Sequence, residues 1–138
     1  MIRLFLLLTT FIFSSQLLSA NEVEVTDCEL PEVSKILLAS HFKDSRIVKI
    51  ICNPKKHTYK VDLDKGKSIV FNETGEWIGI NCKGEPIPFL LIPSHIRNKI
   101  AHLYGMQACP IEIRKVKKKI HVMLNNGIEL SFNMIQAE

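Results

Sequence analysis

Five histidines, four cysteines and one run of cations are the side chains in this 138-residue chain whose types and spacing could do chemistry. His95 and His102 are seven residues apart on one helical stretch, so they share a side of it. A metal site needs three or four ligands, and no carboxylate is spaced to join the pair. His41 falls on an earlier helical stretch, and His57 and His121 lie near or on strands. The five do not converge, and His95 and His102 read as part of a solvated helix face. H-E-x-x-H, a Gly-rich phosphate loop and a nucleophile elbow are all missing from the sequence. The expectation is a chain that is not an enzyme and carries no metal or cofactor.

The cations lie at Arg114, Lys115, Lys117, Lys118 and Lys119. As a basic loop over 114–119 they could meet anionic lipid headgroups, glycans or an acidic partner. The plainer reading is a solvated tip that keeps a strand end soluble. Aromatic residues suited to base stacking are not interleaved, and 18 basic against 14 acidic side chains is a mild excess, so nucleic acid is not expected.

Cys28, Cys52, Cys82 and Cys109 are widely spaced and contain no C-x-x-C. An even number in an oxidising compartment reads as two disulfides. Export is indicated by residues 1–20: Arg3, then the apolar run Leu4 to Phe13, then Leu18-Ser-Ala20. This is the pattern of a secretory signal peptide cleaved after Ala20. The run is shorter than the roughly 20 apolar residues a membrane span needs. No span is expected in the mature chain, which should be periplasmic, or secreted where there is no outer membrane.

These groups have to be placed by strands. Ile120, Val122 and Leu124, then Ile128, Leu130 and Phe132, alternate with other residues at a period of two, as strands with one buried face do. A two-residue turn would set Leu124 against Glu129. A three-residue loop, Asn125-Asn126-Gly127, pairs Leu124 with Ile128, Val122 with Leu130 and Ile120 with Phe132, all apolar. The same device recurs 61 residues earlier, with Tyr59, Val61 and Leu63 before Asp64-Lys65-Gly66, and Ile69 and Phe71 after it. Lys67 is the one core-facing position that differs in kind from its counterpart, Ile128. Two such hairpins indicate an internal duplication.

Each copy opens on a helix. Leu30-Pro31 precedes the stripe Leu30, Leu38 and Phe42 with Ala39 beside it. Ile92-Pro93 precedes Ile96, Ile100, Ala101, Leu103 and Tyr104, closed by Gly105. First strands come next, at Ile47 to Cys52 and Ile111 to Lys115, and Trp77 to Ile80 is a fourth strand in copy one. The second copy lacks the Gly-x-Trp turn and a full fourth strand. Trp77 is expected in the core or at the seam between copies. The expected organisation is an acidic lead-in over 21–29, a first repeat over 30–81, a linker over 82–91 and a truncated second repeat over 92–138. The fold class is α+β: two tandem helix-plus-antiparallel-meander repeats forming one sheet, with the helices packed on one face. Strand directions in this layout put Cys28 near Cys52 and Cys82 near Cys109, which are the bridges expected.

The pieces Leu30-Pro31, Tyr59-Lys-Val-Asp-Leu63, Gly66, Ile69-Val-Phe-Asn72 and Gly75-Glu-Trp77 resemble the PepSY-like, β-lactamase-inhibitor-like family of exported bacterial proteins. So do Ile92-Pro93, Ile120-His-Val-Met-Leu124, Asn126-Gly127-Ile128-Glu-Leu130 and Phe132-Asn133. The resemblance implies a tandem α+β fold and a periplasmic, non-enzymatic protein. Relatives by fold include protease propeptide modules and protein inhibitors of β-lactamase, which offer a sheet face to an enzyme.

The polar sheet face is therefore the candidate site: Lys60, Asp62, Ser68, His121, Met123, Glu129 and Ser131. The expected function is an exported non-catalytic binding module that contacts another protein of the cell envelope, as an inhibitor of a peptidase or similar enzyme in its sharper form. The alternative is a binder of a small ligand or anionic surface through the basic loop.

Overall fold

Val61, Leu63, Ile69, Phe71, Ile80, Ile113, Ile120, Val122 and Leu124 are all buried, while the polar residues that alternate with them are not. A sheet covered on one face gives this pattern. The computed structural model describes residues 29–134 and the backbone of residues 23–24. Within them, eight strands form one antiparallel sheet in sequence order. They are β1 (Val23–Glu24), β2 (Ile47–Asn53), β3 (Thr58–Leu63), β4 (Ser68–Phe71), β5 (Trp77–Asn81), β6 (Pro110–Val116), β7 (Lys119–Leu124) and β8 (Glu129–Asn133). Helix α1 (Glu32–His41) lies between β1 and β2, and α2 (Ser94–Tyr104) between β5 and β6.

Both helices start one residue after a proline. The carbonyl of Pro31 accepts the N–H groups of Ser34 and Lys35, and that of Pro93 those of Ile96 and Arg97. Each proline thus stands just outside its helix and satisfies N–H groups that would otherwise lack partners. Leu38 and Phe42 from the first helix region, and Ile96 and Ile100 from α2, join the buried strand residues in one apolar cluster. The stripe is narrower than the sequence suggests. Ala39 is exposed, as are Leu103 and Tyr104.

The hairpins repeat each other in register. Tyr59 pairs with Phe71 and Val61 with Ile69; Ile120 pairs with Phe132 and Val122 with Leu130. Leu63 donates its N–H to Lys67 at 2.8 Å, and Leu124 donates to Ile128 at 2.9 Å. The loop glycines have positive φ, 81° at Gly66 and 88° at Gly127, as three-residue loops require. The two halves meet where β5 pairs with β6, Ile80 opposite Ile113.

Within the acidic lead-in, Val23 and Glu24 pair with Cys52 and Ile51 and cover part of the β2 edge. Such cover is a common way to blunt an edge strand. The expected signal peptide over 1–20 lies outside the described residues.

Candidate functional site

The face opposite the apolar cluster is assembled row by row from strand register. One row runs Ile51, Lys60, Val70, Gly79, Arg114, His121, Ser131 across β2 to β8, each residue directly opposite the next. The adjacent row runs Lys49, Asp62, Ser68, Asn81, Glu112, Met123, Glu129. Strand spacing makes the stretch from Lys60 to Ser131 about 24 Å long, with the rows roughly 7 Å apart. All seven residues expected on this face lie in these two rows. None of them is buried.

The rows differ in charge. Lys60, Arg114 and His121 stand in the first, and Asp62, Glu112 and Glu129 in the second, which begins with Lys49 at its β2 end. Lys60 Nζ lies 3.8 Å from Asp62 Oδ1, an ion pair along one strand rather than across the sheet. Gly79 leaves a notch in the basic row, bordered by the side chains of Val70 and Arg114. Beyond it, Glu112, Arg114, His121, Met123, Glu129 and Ser131 line an open depression of about 220 Å³. Besides Lys49, Ile51 and Gly79, the residues Val70, Asn81, Glu112 and Arg114 also belong to this face and were not expected there. Alternation would have found them, since Glu112 and Arg114 flank buried Ile113, and Asn81 comes directly after buried Ile80.

The basic loop is not one loop. Val116 pairs with Lys119, so Lys117 and Lys118 alone form the turn, Lys117 with φ 57°. Arg114 and Lys115 belong to β6 and point to opposite faces. Arg114 joins the open face. Lys115 is half-buried with its ammonium 3.9 Å from the centre of the Trp77 ring, and burial pushes its pKa down. Trp77 is itself buried, and the pair straddles the junction of the two halves. A cation over an indole face is favourable, which offsets part of the cost of burying Lys115.

The histidines stay apart, and the described residues contain no group of three or more His, Cys, Asp or Glu able to hold a metal ion. His102 is exposed as expected, but His95 is only partly so, and its Nε2 is buried without a partner. The expected Cys82–Cys109 bridge is overturned: both are free thiols. The strands are neighbours as anticipated, but the register is offset. Cys82 donates its N–H to Ile111, two residues beyond Cys109, and its thiol is buried in the core, which raises its pKa. Cys109 is held the other way, its N–H on Asn125 Oδ1 and its Sγ 3.7 Å from the Gln107 carbonyl. Cys28 lies outside the described residues. No described helix is long and apolar enough to cross a membrane.

Comparison with known proteins agrees with this architecture. No curated protein matches the chain. A periplasmic protein of unknown function from Bacteroides vulgatus is 26% identical, with a TM-score of 0.74 over 83% of this chain and 93% of that one. A Bacteroides thetaiotaomicron protein described as periplasmic and calcium-regulated is 24% identical, with a TM-score of 0.76 over 85% and 93%. A further B. vulgatus protein, described as periplasmic, has 24% identity and a TM-score of 0.77 over the same shares. The family model described as beta-lactamase-inhibitor-like, PepSY-like matches twice, at residues 16–66 and 57–136. With most of its length matched in two overlapping stretches, the chain belongs to the PepSY-like, beta-lactamase-inhibitor-like family.

Proposed function

We propose that this chain is an exported, periplasmic binding module that works without catalysis, using its open sheet face to hold another protein of the cell envelope. The observation that carries the reading is the pair of adjoining cross-strand rows, one basic and one acidic from β3 to β8. A partner with complementary rows docks in one orientation only, because rotating it by half a turn sets like charges together, at a cost of several kcal/mol. The notch over Gly79 admits a side chain from that partner. Export is supported by the signal-like residues 1–20 and by the similar structures, which are described as periplasmic. The sharper form, inhibition of a peptidase or similar enzyme, rests on the inhibitor-like character of the family. Calcium regulation, described for the B. thetaiotaomicron protein, finds no cluster of acidic ligands among the described residues here.

The test uses charge reversal on the open face. Lys60→Glu and Arg114→Glu are expected to reduce capture of an envelope protein from extract by at least about tenfold. Lys99→Glu, on the exposed side of α2, should leave capture intact. All three should keep their melting midpoints within about two degrees, since exposed changes seldom exceed about 0.5 kcal/mol. Equal capture by all three variants moves the site off this face.

We further propose that Cys28 and Cys52 are bridged. Cys52 is not among the free thiols, and it stands opposite Val23 in the β1–β2 pairing. Non-reducing peptide mapping should yield a linked Cys28–Cys52 peptide.

A further inference from the structure

Strands β4 and β8 are equivalent members of the two hairpins, yet among the described residues only β4 has a neighbouring strand on its far side. In an antiparallel ladder, alternate residues turn their N–H and C=O groups to opposite neighbours. On β4, Ile69 and Phe71 bond to β3, which leaves Ser68, Val70 and Asn72 facing outward. The adjoining strand and turn take them up: Ser68 lies opposite Asn81, Val70 opposite Gly79, and Asn72 donates to the Glu76 carbonyl at 2.8 Å. On β8, Ile128, Leu130, Phe132 and Met134 face β7 and the preceding turn, Met134 donating to the Lys118 carbonyl. Glu129, Ser131 and Asn133 face outward, and among the described residues no strand meets them. Leu130 and Phe132, on the apolar side of the same strand, are only partly buried, whereas their counterparts Ile69 and Phe71 are fully buried.

We propose that the outer edge of β8 docks a second copy of this chain, β8 against β8, antiparallel about a two-fold axis through Ser131. The register is self-complementary at every position. Ser131 meets Ser131, and Glu129 meets the second copy's Asn133 on both sides of the axis, so all six outward N–H and C=O groups of each strand find partners. On the apolar side, Leu130 meets Phe132 in both directions and each covers the half-exposed partner. On the polar side, Lys119 stands opposite Asn133, which places it two strand spacings, about 10 Å, from the second copy's Glu129. Opposite charges thus flank the seam on both sides. An isologous pairing of this kind closes on itself and leaves no free β8 edge. The inference concerns the edge of the sheet and stands apart from the use of its face.

Sedimentation velocity of the purified chain, from micromolar to millimolar concentration, tests it. The chain should form a dimer. Ser131→Pro removes an outward N–H that β7 does not use, and should weaken dimerisation by at least about tenfold. Asn133→Glu places like charges opposite each other twice per dimer and should weaken it by a similar factor. The Glu129→Lys/Asn133→Glu double variant restores opposite charges, so the dimer should return, which also rules out misfolding as the cause. A wild-type chain that stays monomeric throughout overturns the proposal, even if another protein's extended segment is then found on β8. A dimer indifferent to both single variants overturns it as well.

Discussion

Phe71 and Phe132 close the two hairpins at positions 61 residues apart, each opposite an aromatic or aliphatic residue of the preceding strand. Phe71 is fully buried, whereas Phe132 is only partly so. The difference comes from the neighbouring strand that β4 has and that β8 does not have among the described residues. After Phe71 the chain turns through Asn72–Glu76 and returns as β5, setting Trp77 opposite Phe71. The turn also reaches the first helix, where the buried hydroxyl of Ser34 donates to the Gly75 carbonyl at 2.9 Å. Ile96 stands at the position of Ser34 in α2 and is equally buried. A buried polar side chain needs a partner, so the serine accompanies the turn that supplies one, and an aliphatic residue serves where no such turn is described. The first half is thus closed both by a fourth strand and by a polar tie from that strand's turn to the helix.

The largest expected effect tests the burial difference directly. Phe71→Ala empties a fully enclosed site and should cost about 3–5 kcal/mol in urea unfolding. Phe132→Ala should cost less than half as much at low micromolar concentration, because part of its surface is already in contact with solvent. Equal losses would mean that Phe132 is sealed as completely as Phe71 and would remove the contrast.

A second experiment separates two glycines. Gly75 has φ 95°, and a Cβ placed there would lie 2.8 Å from Pro31 Cβ and 3.1 Å from Ser34 Oγ. Gly127 has a similar φ of 88° with nothing within 4 Å. Gly127→Ala should therefore cost only the left-handed strain, about 1–2 kcal/mol. Gly75→Ala adds a collision with atoms fixed to the start of α1 and should cost about 2 kcal/mol more. If the two substitutions prove equal, the turn is not packed against the helix as described.

Much of this contrast is legible in the sequence, and the reasons are local. Apolar facing pairs and a loop glycine suffice to set the register of both hairpins, because a shift of one residue would turn every core side chain to solvent. The junction of the halves is harder to read. Lys115 and Trp77 are 38 positions apart, and nothing in either neighbourhood announces the stacking. A run of cations looks like a loop because charge is read before alternation; counting outward from Ile113 sends Arg114 and Lys115 to opposite faces. The Cys82–Cys109 expectation fails on a two-residue offset between β5 and β6, which strand order alone does not determine.

The smallest expected effect concerns Lys67, the core-facing position that the second hairpin fills with Ile128. Lys67 Nζ lies 2.8 Å from Glu85 Oε2, in the segment between the halves, and its side chain is 18% exposed against 58% for Glu85. The hydrogen bond from Lys67 lowers the Glu85 pKa, and that same bond raises the Lys67 pKa against the opposing effect of burial. A depressed carboxylate stabilises the fold above its ordinary value of 4.5 and loses that contribution as the pH falls through the lowered one. A raised lysine stabilises the fold below its ordinary 10.5 and loses that contribution as the pH rises through the higher one. The pair therefore acts across the whole interval between, and its acid limb is the accessible one. Half-exposed pairs contribute little, so Lys67→Ile at pH 7 should leave the melting midpoint within about two degrees of wild type. It also leaves no buried charge behind, because Glu85 remains in solvent. The difference between the two proteins should shrink further as the pH falls through the lowered Glu85 pKa and the carboxylate takes up its proton. Melting curves at pH 7 and pH 3 decide the matter. A Lys67→Ile midpoint ten degrees lower at pH 7 would show that the lysine, rather than an aliphatic residue, is what this position requires.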